Sequence, residues 1–355
     1  MSDTAFPEYV QHNGELSYPA PVVCEGVNLY GFILEGRHDN LEALCRRVFR
    51  DPSGGSVTYY PLTPYVMLTI GRIRKIYSSS LDVGWSPETQ VIIWIPCAAV
   101  RQNGSILVAE RLAFFPAYTI VGEIYSLVSG REVYGFFKSY GWVDVPESDD
   151  VINPPRLGLD VYGLKSFSPD SEAGRWPLLE VQRIGPGAAA ETRHPHAGAS
   201  AWNTLEEALH ELKSVIAGTG KEIVIPGLEL PANLIYDLIH KEVPLVFLKQ
   251  FRNAGSDGGA AYQAIIEAPA VVQRFTGLRL MDEYQFNILN RLDSYPMADD
   301  LGLTSQKALL SFKLDMDFTV MQGKEVWNAA PRHGDAGSAQ RRGCLGFLAG
   351  LFSLL

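Results

Sequence analysis

One lysine stands among aromatic residues in the run Gly130 to Trp142, GREVYGFFKSYGW. Lys138 has Tyr134, Phe136, Phe137, Tyr140 and Trp142 as its near neighbours in sequence. In an extended chain side chains alternate between faces, which puts Tyr134, Phe136, Lys138, Tyr140 and Trp142 together. Gly135, Ser139 and Gly141 leave the other face thin. An ammonium walled by aromatic surface loses hydration, and that favours the neutral amine. A neutral amine attacks a ketone and forms a Schiff base. The competing reading is a strand-end lysine whose stem packs while its head stays in water. On the first reading Lys138 is the nucleophile, and Tyr134, Phe136 and Tyr140 are walls that a substrate meets.

Other classes of chemistry find less support. The chain has 355 residues, 40 acidic against 30 basic, for a formal charge of −10. That balance argues against nucleic acid or an anionic membrane surface as partner. Cys24, Cys45, Cys97 and Cys344 are scattered with no CxxC spacing, so neither a disulfide framework nor a zinc site is indicated. His194 and His196 form a His-x-His pair inside the small-residue stretch 185–200, without a cysteine or carboxylate cluster beside them. That stretch reads as a surface loop. The first ten residues show no basic region followed by an apolar run, so no signal peptide is expected. The expectation is a soluble, cytoplasmic protein with no transmembrane segment.

The lysine segment resembles the active-site segment of the acetoacetate decarboxylase family. There, Gly-Arg-Glu precedes a short spacer, a proline and a pair of lysines. Gly130, Arg131 and Glu132 fit, and Lys138 falls on the first lysine, the family's Schiff-base residue. Phe137 stands for the proline and Ser139 for the second lysine. A glycine, three residues and a glutamate match Gly84 and Glu88, so the resemblance implies that Glu88 is the family's active-site carboxylate. Such a group shuttles protons while the imine forms and hydrolyses. The family's substrate-binding arginine aligns near Val27 or Asn28, and its second glutamate with Thr69. Arg72 or Arg74 would stand in for that arginine if Gly71 marks a bulge that re-aims them. Otherwise they are solvated strand ends.

The elements that must hold these groups are mostly strands. Gly26 to Glu35, Tyr65 to Ile76, Thr89 to Val100, and two runs within Ile106 to Ser129 read as strands. Leu157–Leu164 with Leu178–Ile184, and Leu245–Phe251 with Ala261–Glu267, read as hairpins. Leu310 to Val320 alternates apolar and polar without a break and predicts a half-buried strand. Helices are predicted after Asp39 or Asn40 (Leu41, Leu44, Cys45 and Val48 inward), from Asn203 to Gly218, and from Pro231 to His240. This gives an α+β class, mostly antiparallel β. The resemblance adds a closed or cone-like β-barrel with a few peripheral helices. The expected organisation is an arm over 1–25, a domain over 26–328 with a helical insertion near 185–243, and a tail over 329–355. The apolar end of that tail is too short to span a bilayer.

The resemblance further implies a lyase that decarboxylates a β-keto acid, needs no cofactor or metal, and assembles as a homo-oligomer. Two alternatives stay open: a Schiff-base aldolase or dehydratase acting on a larger keto acid, and a non-catalytic barrel that binds a small molecule.

Overall fold

The computed structural model describes residues 8–10, 17–103, 106–186, 192–193, 228–229, 243–255 and 258–329. In chain order these form β1 (Val22–Glu35), α1 (His38–Cys45), β2 (Tyr59–Pro61), β3 (Tyr65–Ser78), β4 (Ser86–Asn103) and β5 (Ile106–Val121). Next come α2 (Ile124–Ser129), β6 (Lys138–Asp144), β7 (Arg156–Gly163), β8 (Gly174–Gly185), β9 (Thr192–Arg193), β10 (Leu228–Glu229) and β11 (Val243–Arg252). The last are β12 (Ala260–Leu280), β13 (Glu283–Ile288), α3 (Met297–Leu301), β14 (Gln306–Lys307), β15 (Leu310–Val320) and β16 (Lys324–Asn328). Among the described residues strands dominate and helices are few and short, as expected. The sheet is mixed, because β5 pairs parallel with β6, β10 and β11 while the other pairings are antiparallel.

Seven strands pair around a closed circuit, β4–β5–β11–β12–β15–β1–β3 and back to β4. A wing of β6, β7, β8, β13 and β14 leaves this ring at β5. Alternation in each ring strand therefore separates two apolar layers. One face carries Leu29, Ile73, Phe247, Ile266 and Val320, with Tyr134 of the turn before β6 packed against it. The other carries Tyr30, Phe32, Ile70, Ile93 and Phe115, and packs on α1 and the wing.

Helix α1 shows why the sequence folds as it does locally. Leu41, Leu44 and Cys45 recur at helical spacing and are buried, and a π-helical turn over Arg46–Arg50 adds Val48 and Phe49. Phe49 packs its ring 4.9 Å from Tyr59 and 4.9 Å from Phe115. Each fully buried side chain of this size contributes about 1.5–3 kcal/mol relative to exposure. The helix starts at His38, two residues earlier than a cap at Asp39 implies, with Arg37 at the N-cap and no side-chain cap.

Several boundaries shift. β1 begins at Val22, so the last residues of the supposed arm are strand, paired with both β3 and β15. The run before the lysine segment is one strand through Pro116, where a bulge absorbs the missing N–H, and then helix α2 rather than a further strand. The helices expected over 203–218 and 231–240, His194, His196 and the tail from 330 lie outside the described residues. Among the described residues no helix is long and apolar enough to cross a membrane.

Candidate active site

Lys138 opens β6, beside Thr119 of β5 in parallel register. Gly130–Tyr134 before it is a π-helical turn, so the segment is not extended throughout. The turn ends at Gly135 with φ +93°, a left-handed conformation that an L side chain resists. A Cβ there would also come within 2.5 Å of the Lys249 backbone. The reversal brings the lysine stem back over Gly130. Arg131 fixes the loop by donating from Nη1 to the Lys138 carbonyl at 3.0 Å.

Glu88 lies inside β4, opposite Ile73 of β3. Glu88, Gln90 and Ile92 share a face of β4, and Ile92 pairs with Thr119, so Glu88 and Lys138 look into the same side of the ring. The Lys138 Nζ is 3.6 Å from Glu88 Oε2, with side-chain exposures of 10% and 1%. Burial pushes the Glu88 carboxyl above its ordinary range, against the pull of the Lys138 charge. Nζ also donates to the Ser126 hydroxyl of α2 at 2.5 Å. The Phe136 ring centroid is 5.2 Å from Nζ, and Phe136 in turn packs 4.2 Å from Phe247. Buried Cys24 of β1 feels both Glu88 and Lys138; burial first, then Glu88, pushes its thiol up, so it stays protonated and is no rival nucleophile.

The other expected wall residues lie elsewhere. Tyr134 sits in the π turn, not on a strand face with Lys138. It is buried, donates its hydroxyl to the Val320 carbonyl at 2.9 Å, and backs Phe136 at 6.2 Å. Tyr140 is 38% exposed and packs on Trp142, because β6 has run to the protein surface by that point. Arg72 pairs with Thr89, one residue from Glu88, and so points to the opposite face of the sheet. Its guanidinium bonds Asp149 at 2.7 Å, and Arg74 bonds the same carboxylate at 2.9 Å. No bulge occurs at Gly71, where β3 pairs in register with both neighbours. Neither arginine replaces the one missing near Val27. Thr69, at the place of the second glutamate, is buried on the Glu88 side and accepts the Trp94 indole N–H at 2.9 Å.

Ser126 was not visible in the sequence because IYSLVS reads as an apolar strand. Its one signal is the i, i+3 spacing of Ser126 and Ser129, which places two hydroxyls on one side of a helical turn.

With this geometry in hand, comparison with solved structures is informative. The acetoacetate decarboxylase of Legionella pneumophila superposes with a TM-score of 0.54 at 13% identity, over 93% of this chain and 94% of that one. The chain has the acetoacetate decarboxylase fold. The enduracididine biosynthesis enzyme MppR, complexed with pyruvate, matches the same fold with a TM-score of 0.50 at 12% identity, over 88% and 93% of the two chains. No family model and no curated protein matches the chain. The acetoacetate decarboxylase fold thus bears out, at the level of architecture, the resemblance read from 130–138.

A cleft of about 450 Å³ is lined by Phe115, Phe137, Ser139, Leu248 and Gln250, and Thr119 and Lys138 also border it. Leu248 and Gln250 alternate with Phe247 on β11, so they line it from the face of the sheet opposite Phe136. Ser139 faces it and bonds Tyr295. This geometry yields two expectations. Phe136→Ser strips the ring from the amine and slows imine formation near neutral pH roughly 10-fold, a ring contact being worth on the order of 1 kcal/mol. Ser139→Lys places its cation in the cleft and changes the rate much less. Rates of covalent labelling across pH for the three proteins decide it, and an unchanged Phe136→Ser profile rejects the aromatic wall as an activator.

Gly130 permits the approach of the lysine stem. A Cβ there would stand 2.7 Å from Lys138 Cδ and Cε and 3.2 Å from Nζ. Its backbone is right-handed helical, φ −63°, so alanine is tolerated by the chain itself. Gly130→Ala is expected to fold normally and to slow labelling on the order of 10²-fold by displacing the amine. Labelling at the parent rate would show that the amine has room to spare.

Proposed function

We propose that this protein is a Schiff-base lyase that decarboxylates a β-keto acid, with Lys138 as nucleophile and Glu88 as proton donor and acceptor. The observation that carries the proposal is an enclosed amine 3.6 Å from a carboxylate that is itself only 1% exposed. Glu88 Oε2 and Thr119 Oγ1 are buried without a hydrogen-bond partner among the described residues, which suits a chamber that receives a polar ligand. The Nζ lone pair adds to the keto carbon and the carbonyl π pair moves to oxygen. A proton passes from nitrogen to that oxygen, and Glu88, whose pKa burial raises, donates to the resulting hydroxyl as it departs as water, leaving an iminium. The bond to the carboxylate carbon then breaks, carbon dioxide leaves, and the electron pair enters the iminium to give an enamine. Protonation at carbon and attack by water release the ketone and restore the amine.

A second reading keeps the imine and changes the outcome. The ring positions beside Glu88, namely Val27, Thr69 and Ile73, carry no cation, and Arg72 and Arg74 are held by Asp149 on the other face. Without an arginine to hold the carboxylate as a leaving group's handle, the same imine suits aldol or dehydration chemistry on a larger keto acid, in which the carboxylate is retained. Borohydride added with acetoacetate or pyruvate is expected to leave one reduced adduct on Lys138. Release of carbon dioxide from acetoacetate supports the first reading, and condensation of pyruvate with an aldehyde supports the second. No adduct with either keto acid rejects both.

A further inference from the structure

Helix α2 is built the wrong way round for a surface helix. Ser126 and Ser129 are 3% and 5% exposed, whereas Ile124 is 61% exposed and Tyr125 and Val128 also face solvent. An amphipathic surface helix buries its apolar stripe and exposes its hydroxyls. Buried hydroxyls need partners, and each of these has one. The Ser129 hydroxyl accepts the Tyr18 backbone N–H at 2.7 Å, which ties the N-terminal segment to the ring. The Ser126 hydroxyl takes the hydrogen bond of Lys138 Nζ at 2.5 Å, closer than the Glu88 carboxylate at 3.6 Å.

We infer that Ser126 is a catalytic residue that relays a proton between the amine nitrogen and the substrate oxygen during imine formation. The inference rests on the Schiff-base reading of Lys138. When the amine adds to a ketone, the nitrogen of the first adduct carries a surplus proton and the former carbonyl oxygen a negative charge. Ser126 Oγ accepts the N–H proton while its own O–H proton passes to that oxygen. One proton enters and one leaves, so the serine ends as it began and the adduct becomes a neutral carbinolamine. Glu88 then donates its proton to the new hydroxyl, the C–O bond breaks to release water, and the nitrogen lone pair forms the C=N bond. The two groups divide the work: the hydroxyl already touching nitrogen moves the first proton, and the buried carboxyl 3.6 Å from the amine supplies the second. Reversal of the same steps hydrolyses the product imine.

The test uses Ser126→Ala and Ser126→Thr with acetoacetate and borohydride, read as the rate of adduct appearance on Lys138. Ser126→Ala is expected to lower that rate on the order of 10²-fold. Its final adduct yield and its melting temperature should match the parent. Ser126→Thr keeps a hydroxyl and is expected to return most of the rate. The solvent deuterium effect on the rate should fall in Ser126→Ala, because a two-proton relay is gone, a change that looser packing does not produce. If the parent is labelled and Ser126→Ala is labelled equally fast, the relay is wrong while the Schiff base stands. Equal slowing in the alanine and threonine variants, with an unchanged isotope effect, reduces Ser126 to packing. No labelling of the parent overturns the Schiff base, and the relay falls with it.

Discussion

Lys138→Met yields no borohydride-stable adduct with any keto acid that labels the parent. The methionine has nearly the length of the lysine stem and no nucleophilic nitrogen, so the effect is complete loss rather than slowing. The same variant shows a steeper pH dependence of stability than the parent. In the parent, burial raises the Glu88 pKa and the Lys138 charge opposes that rise. Removing the charge leaves burial unopposed, and the native carboxyl moves further up. A group with a raised native pKa is fully tolerated below its unfolded value, and stability is lost as pH rises through the native one. Lys138→Met should therefore be at its most stable at acid pH and weaken progressively above the ordinary glutamate range. Adding Glu88→Gln to it should flatten that dependence. Unfolding midpoints of the single and double variants across pH provide the measurement. A profile no steeper than the parent's would show that the Lys138 charge does not hold the Glu88 pKa down.

Glu88→Gln, by itself, should slow adduct formation about 10²–10⁴-fold, the usual cost of losing a positioned acid or base. The amide keeps the shape of the carboxyl and cannot hand over a proton. The slowing should be greatest where the parent is fastest, near the raised pKa of the acid, and should shrink toward strongly acid pH where solvent supplies protons. Reversible binding of a ketone that forms no imine should be unaffected. A Glu88→Gln protein that labels at the parent rate would remove the carboxylate from the mechanism and leave Ser126 as the nearest proton carrier.

Part of this site was legible in the sequence. Lys138 and Glu88 could be placed from the motif around Gly130 and the spacing after Gly84, and they do meet in space. The alternation of Leu310 to Val320 gave the strand that became β15 with the same bounds. Alternation reports which residues share a face, however, and does not report what covers it. Lys313 falls on the polar side of β15 and is nonetheless 1% exposed, held by Asp315 at 2.9 Å, with Asn28 donating to the same carboxylate at 2.6 Å. Both faces of this strand are covered, which a single strand cannot reveal. Arg72 lies on the other face from Glu88 for a related reason: its side chain is one position out of step, a fact that lies in the β3–β4 register. Ser126 was hidden because six residues of helix leave too short a period to detect.

The ring has an order of assembly written into its pairings. The groups that would do the chemistry sit on neighbouring pieces of chain, β4, β5, α2 and β6, all made between residues 86 and 144. The wall that encloses them arrives much later, since β1 is sealed by β15, with Val22 against Val320 and Ile33 against Leu310. Pairings between segments this far apart in the chain form slowly, because a long loop must close before any contact offsets its entropy. A nascent chain therefore carries the amine and the carboxyl side by side while still open to water, and encloses them only when β11, β12 and β15 have been added. Enclosure of the amine is in this sense a late trait of the chain, conferred by its last ring strand on groups laid down some 200 residues before it.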